Sequence, residues 1–121
     1  MISLLLAIRT ESEANLREHW AQKAKRARTQ RAIVKTMLRP LKPKIVDPGG
    51  YSVVLTRIAP RPLDDDNLAR SFKAIRDGIA EAIGMDDNVK SKLKWGYAQE
   101  RGPSKQYAVR IQIRPRQGQP L

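Results

Sequence analysis

The chain has 121 residues, no cysteine, and 24 Lys and Arg against 12 Asp and Glu, which gives a formal net charge of +12. This length suits one compact domain, and the absence of cysteine excludes disulfides and cysteine-based zinc sites and fits a cytoplasmic protein. The strongly positive charge favours binding of a polyanion through phosphate contacts, and nucleic acid is the obvious candidate.

The first half of the chain predicts a strand and a long helix. The strand is Ile2 to Ile8, where apolar residues recur at every second position. It is too short to span a bilayer and lacks the basic start of a signal peptide. A helix is predicted from about Glu13 to Leu38, and Pro40 and Pro43 mark its end.

The second half predicts three strands and a second helix. Tyr51 to Ile58 is a β-branched, apolar strand. The helix that follows, with Asp66 or Asn67 as its N-cap, carries apolar residues at steps of four, three, four and four: Leu68, Phe72, Ile75, Ile79 and Ile83. Two alternating strands then begin near Val89 and Tyr107, and residues 115–121 are expected to form a flexible tail.

The order β-α-β-α-β-β predicts one α+β domain over residues 1–121, with two helices packed on a small mixed sheet.

Two acidic clusters stand out in this basic chain, at residues 64–67 (Asp-Asp-Asp-Asn) and 86–88 (Asp-Asp-Asn). Packing carboxylates together costs Coulomb repulsion unless a cation neutralises them. In an extended segment Asp64 and Asp66 would project to one side and Asp65 to the other. If the clusters converge, their oxygens suit Mg²⁺ or Mn²⁺ together with a substrate phosphate. Each cluster alone favours a helix cap or a turn, whereas both together favour a metal-dependent site for a polyanion.

Three segments of the chain resemble the RusA-type Holliday junction resolvases of phages and prophages. They read Pro-Leu-Asp-Asp-Asp-Asn-Leu at 62–68, Phe-Lys-Ala-Ile at 72–75 and Gly-Met-Asp-Asp-Asn-Val at 84–89. The family carries an Asp-x-Asp-Asn run with a lysine four residues after its second aspartate, then a helix, then an Asp-Asp pair just before a strand. The match covers about residues 60 to 90, and the order of the elements agrees more loosely.

The resemblance assigns roles to individual residues. It implies that Asp64, Asp66 and Asp87 bind the metal and are catalytic, and that Asp86 supports them at the metal site. The family's catalytic lysine corresponds to Arg70, which is a departure. Arginine can hold a phosphate or stabilise transition-state charge but does not shuttle a proton, and Lys73, one turn along, could take the role of the lysine.

The resemblance also implies an activity. A homodimer would bind branched DNA, four-way junctions in particular, and make paired symmetric nicks with Mg²⁺ or Mn²⁺. No membrane and no small-molecule cofactor is expected, and the compartment would be the host cytoplasm if a phage encodes the chain. Two alternatives stay open. One is a non-catalytic branched-DNA-binding protein on the same scaffold, favoured by Arg70, and the other is a nuclease for forks or flaps.

Basic residues on either side of the acidic clusters are the candidates for phosphate contacts. The predicted DNA-binding set is Lys23, Arg26, Arg31, Lys90, Lys92 and Lys94. The alternative is a solvated helix face and an edge strand protected by lysines. Trp20 and Trp95 fall at core-facing positions, which favours packing in the core or at a dimer interface over base stacking. His19, the only histidine, is expected to be packed or exposed rather than catalytic.

Overall fold

The computed structural model of the protein describes residues 2–10, 20–44, 50–83 and 93–115. Four strands and three α-helices make up these residues, with a short 3-10 helix after the first α-helix. In chain order the elements are β1 (Ile2–Leu6), α1 (Trp20–Leu38), the 3-10 helix (Arg39–Lys44), β2 (Tyr51–Ala59), α2 (Asp65–Ser71), α3 (Lys73–Ile83), β3 (Leu93–Arg101) and β4 (Ala108–Pro115). The predicted α+β class is confirmed, and the predicted tail from residue 116 onward lies outside the described residues.

The four strands form one mixed sheet in the order β1-β4-β2-β3. β4 pairs antiparallel with both β1 and β2, whereas β2 and β3 run parallel. Parallel neighbours need a long crossover, and the segment that contains α2 and α3 supplies it. The first acidic cluster lies in this connection, after the end of β2 and at the start of α2.

One face of the sheet is covered by helices, and this is where the core lies. Period-two alternation brings Val53, Leu55 and Ile111 to this face, where they join Val34 of α1 and Ile75 of α3 in one buried cluster. The alternation predicted for β1, β3 and β4 is confirmed in the described residues, whereas β2 was predicted from its β-branched, apolar composition. We call the opposite side of the sheet the open face, because no helix of the described residues covers it.

The second predicted helix is not continuous, and this expectation was wrong. The chain breaks at Phe72, where α2 ends and α3 begins. The Ser71 hydroxyl donates a hydrogen bond to the Leu68 carbonyl at 2.7 Å, and the Phe72 N–H donates to the Ala69 carbonyl at 3.3 Å. The helical bond from residue 72 to residue 68 is therefore replaced by a side-chain bond. The Arg76 N–H then donates to the Phe72 carbonyl at 2.8 Å, which starts the new helix.

Only the second half of α1 is buried against the rest of the protein. Val34 and Leu38 are fully buried, and Gln30 is the third buried residue of the helix. Packing of Trp20 at a dimer interface stays a prediction, but its expected place in the core was wrong, because the residue is 74% exposed. The reason is that α3, the partner of α1, contacts the later turns. None of the helices in the described residues has the length and apolar character needed to cross a membrane.

Gly78 sets the distance between α1 and α3. A Cβ at this position would lie 3.0 Å from the Arg31 carbonyl oxygen and 3.1 Å from the Val34 Cβ. We expect Gly78→Ala to destabilise the fold, because overpacking of about 1–3 kcal/mol outweighs the gain of roughly 1 kcal/mol from replacing a helix glycine. Urea unfolding measures the change.

Gly96→Ala is the matched control for this prediction. A Cβ there would meet the Val54 side chain at 3.6 Å, an ordinary van der Waals contact. We expect its free energy of unfolding to stay within about 0.5 kcal/mol of the parent protein. Equal effects of the two substitutions would contradict the role given to Gly78.

Candidate nucleic-acid interface

The first acidic cluster forms the N-terminus of α2. Asp64 is the N-cap, with φ −69° and ψ 166°, and its carboxylate accepts a hydrogen bond from the Asn67 N–H at 2.9 Å. Asp65 and Asp66 occupy the first helical turn, where negative charge favours the positive end of the helix dipole. We call these three residues the acidic turn. The predicted cap at Asp66 or Asn67 was wrong, and the acidic turn is helical from Asp65 onward.

Two side chains fasten the segment before the acidic turn to the sheet. The Gln99 amide of β3 both donates to the Leu63 carbonyl at 2.8 Å and accepts from the Leu63 N–H at 3.0 Å. Arg57, buried in β2, donates to the carbonyls of Arg61 at 2.7 Å and Thr10 at 3.2 Å. These bonds hold the acidic turn at one end of the β2–β3 pair. Sequence reasoning did not assign a role to Gln99 or Arg57, although a buried arginine requires such partners.

The capping bond gives Asp64 a structural role that can be separated from metal binding. Asp64→Ala removes the acceptor, so we expect a loss of about 1 kcal/mol in the free energy of unfolding. Asn is an equally good N-cap, so Asp64→Asn should keep stability within a few tenths of a kcal/mol while it removes the charge. Chemical denaturation of the two variants tests this, and equal stability of both would contradict the cap.

The acidic turn offers the kind of ligand that Mg²⁺ and Mn²⁺ prefer. Asp64, Asp65 and Asp66 are all exposed, and carboxylate oxygens are hard donors. Within residues 2–10, 20–44, 50–83 and 93–115, no three Asp, Glu, His or Cys side chains come together in a group that could hold a metal ion. Asp86 and Asp87, predicted as further ligands, lie outside the described residues. The donor chemistry fits, and a complete site requires a ligand beyond the acidic turn.

A basic groove runs between α1 and the two helices of the crossover. We call it the α1–α3 groove, and its volume is about 470 Å³. Its lining residues are Lys23, Ala24, Arg26, Ala27, Gln30, Arg31, Arg70, Ser71, Lys73, Ala74, Arg76 and Asp77. Basic side chains therefore surround it, and one acidic side chain stands among them.

The groove collects predicted site residues that are far apart in the sequence. Lys23, Arg26 and Arg31 come from α1, and they share the lining with Arg70 and Lys73, the two candidates for the family's lysine. Half of the predicted DNA-binding set thus lies beside the predicted catalytic cations.

The acidic turn and the groove are joined by α2. Asp66 and Arg70 are four residues apart in this helix, so they lie on the same face, one turn from each other. Arg70 also lines the groove. The carboxylates and the basic groove are therefore neighbours on the helix side of the protein.

The predicted lysines of β3 lie elsewhere. Lys94 is exposed, and alternation with the core-packed Trp95 places it on the open face, away from the groove. Lys90 and Lys92 lie outside the described residues, as does His19. Trp95 is partly buried against the core, as predicted.

Arg76 is a groove residue that sequence reasoning missed. Its guanidinium donates to the Tyr97 hydroxyl at 2.9 Å, and Tyr97 in turn stacks on Phe72 with ring centroids 5.7 Å apart. These contacts fix Arg76 against β3 at the break between the helices. The signal was available, because Arg76 is three residues after Lys73 and so shares its helical face.

Ion pairs cross from α1 to α3 at the end of the groove. The Arg31 guanidinium lies 3.7 Å from the Asp77 carboxylate and 3.6 Å from that of Glu81, and the Lys35 ammonium lies 3.1 Å from Glu81. Lys73 reaches the same Asp77 carboxylate at 3.5 Å. Since all of these side chains are about a third or more exposed, the pairs contribute little to stability, on the order of 0–1 kcal/mol each.

Comparison with known proteins gives one distant likeness. No protein-family model matches the chain. An uncharacterised protein of Xylella fastidiosa (strain Temecula1) is 34% identical over an alignment of 82 residues, which covers 60% of this chain and 51% of the relative. The chain thus spans about half the length of the relative that it matches.

Proposed function

We propose that the protein is a RusA-like, metal-dependent endonuclease that resolves four-way DNA junctions. The observation that carries the proposal is the adjacency of the acidic turn and the α1–α3 groove along α2. Carboxylates beside a phosphate-binding groove hinder DNA binding unless a cation is present, so their combination favours a metal-dependent site over a simple DNA contact.

In this proposal each group has a separate task. Asp64, Asp66 and Asp87 would hold Mg²⁺ or Mn²⁺, with Asp86 in support. The metal, when bound, supplies activation of water for attack on phosphorus and stabilisation of the leaving oxygen. Arg70, on the same helical face as Asp66, neutralises charge on the scissile phosphate but does not move a proton.

Lys73 lies beyond the helix break, exposed at the rim of the groove. In the proposal it contacts the same phosphate or the next one and is the group that can exchange a proton, a task that arginine does not perform. The rest of the groove holds the adjoining DNA arm through phosphate contacts.

A four-way junction has near two-fold symmetry, so two copies of the site are needed for paired nicks. We therefore propose a homodimer that presents one acidic turn to each of two opposite strands.

Cleavage of a synthetic four-way junction tests the proposal. An end-labelled junction is incubated with Mg²⁺, Mn²⁺ or EDTA beside a linear duplex of the same sequence. We expect symmetric nicks that need metal and occur only in the junction. If the protein cleaves forks or flaps in preference to the junction, the proposed nuclease activity stands and the proposed substrate is wrong.

A second candidate is a branched-DNA-binding protein without catalytic activity. Two observations favour it: Asp64 already serves as a helix cap, and Arg70 stands where the resolvase family has lysine. Tight junction binding without cleavage in either metal would select this candidate.

A further inference from the structure

We propose that the α1–α3 groove binds the phosphodiester backbone of a DNA arm, and that Asp77 occupies the phosphate position in the DNA-free protein as a built-in competitor. The inference rests on the proposed DNA binding and is independent of cleavage. It assigns Asp77 a role in affinity, and it makes α3, as well as α1, a DNA-contacting element.

The geometry around Asp77 resembles that around a bound anion. Its carboxylate lies 3.7 Å from the Arg31 guanidinium of α1 and 3.5 Å from the Lys73 ammonium of α3. Among the described residues that line the groove, Asp77 is the single acidic one, beside six Lys and Arg. A carboxylate between two cations from different helices stands where a phosphate oxygen would bind.

Two arginines that line the groove each carry a buried donor without a partner, and a phosphate reaches these donors when the arginine side chains reorient. The Nε atoms of Arg31 and Arg76 are buried, and neither has a hydrogen-bond partner among the described residues. Buried donors without partners are rare in folded proteins and point to a ligand or water. A phosphate presents several acceptor oxygens, whereas the Asp77 carboxylate lies near a terminal nitrogen of Arg31 and leaves its Nε without a partner.

Asp77 is also held weakly enough to be displaced. Its side chain is 37% exposed and that of Lys73 is 76% exposed, so water screens the attraction between them. A DNA backbone brings several phosphates to the groove at once and releases its counterions, so it can compete with a single exposed carboxylate. Displacement leaves Asp77 near the DNA, where its charge opposes binding. Asp77 therefore lowers the affinity of the groove for a phosphodiester backbone.

The test is the affinity of Asp77→Asn for a fluorescent four-way junction, measured by anisotropy in EDTA so that cleavage cannot contribute. We expect roughly fivefold to tenfold tighter binding, because one close repulsive charge is removed. Glu100→Gln is the matched control. It removes the same charge from a carboxylate that pairs with Arg110 on the open face. Screening should limit its effect to about twofold or less.

A double-mutant cycle ties the effect to the groove. In a Lys73→Gln background the gain from Asp77→Asn should shrink to about threefold or less, because one of the cations that Asp77 occupies is gone. A similar gain in both backgrounds would overturn the competitor role, as would equal effects of Asp77→Asn and Glu100→Gln.

The failure of this inference differs from the failure of the proposed function. If the parent protein binds the junction and Asp77→Asn behaves as the control does, only the competitor role is lost. If the parent protein does not bind DNA in EDTA or in metal, both the inference and the proposed function are wrong. Thermal melting of each variant verifies that the fold is intact.

Discussion

Asp66→Asn should reduce cleavage of a four-way junction by about 100-fold or more and leave junction binding unchanged or tighter. The variant keeps the size and shape of the side chain but loses the negative charge that a hard cation requires. Binding should not weaken, because one carboxylate that repels DNA has been removed. The measurement is the single-turnover cleavage rate in saturating Mg²⁺ or Mn²⁺, with the dissociation constant measured in EDTA.

Asp65→Asn is the control for this prediction. Asp65 occupies the same first turn of α2, so both variants lose the same favourable interaction with the helix dipole, about 0.3–1 kcal/mol. Differences in stability therefore cannot explain a difference in cleavage. We expect Asp65→Asn to retain most of the cleavage rate. Full activity of Asp66→Asn, or an equal loss in both variants, would end the catalytic assignment.

The strands β1 and β4 were predictable because their buried residues lie on one face. A strand with one face in the core must alternate, and the alternation in β1 and β4 places Leu6, Val109 and Ile111 on the side where the structure buries them. The α+β class followed from the order of these elements. The pairing of β2 with β3 in parallel did not, because strand order depends on contacts between residues far apart in the chain.

The break at Phe72 could not be found from periodicity. The apolar residues of α2 and α3 keep helical spacing across it, so the pattern is that of one continuous helix. The break depends on one hydrogen bond of Ser71 and on the stacking of Phe72 against Tyr97 of β3. Both involve atoms whose positions only the folded chain determines. The consequence matters for the site, because the break lies where Arg70 and Lys73 meet the groove.

The basic residues also show what the sequence predicts and what only the structure shows. The net charge predicts a polyanion-binding surface but not its location. The structure puts Lys23 and Arg31 of α1 beside Lys73, whereas Lys94 lies on the open face. Sequence reasoning treated these lysines and arginines as one surface because it could not know which side of the sheet the helices cover.

The double variant Lys23→Glu, Lys73→Glu should weaken junction binding by about 100-fold and lower the salt dependence of binding by about two phosphate contacts. The two lysines come from different helices but line one groove. Reversal of both charges replaces two attractive phosphate contacts with two repulsive ones. Lys73 is 76% exposed in its side chain, so its reversal should cost little stability, and thermal melting verifies that the double variant is folded. Anisotropy titrations at several salt concentrations give both the affinity and the slope.

The control reverses the same number of charges at residues that do not line the groove. Lys94→Glu, Lys105→Glu changes the net charge equally, and both residues are exposed, one on the open face and one in the loop between β3 and β4. If the groove is the DNA-binding surface, the control should weaken binding only about threefold, through the long-range field. A control effect equal to that of the groove variant would mean that net charge, and not the groove, governs binding. A larger control effect would move the interface to the open face of the sheet or to the loop between β3 and β4.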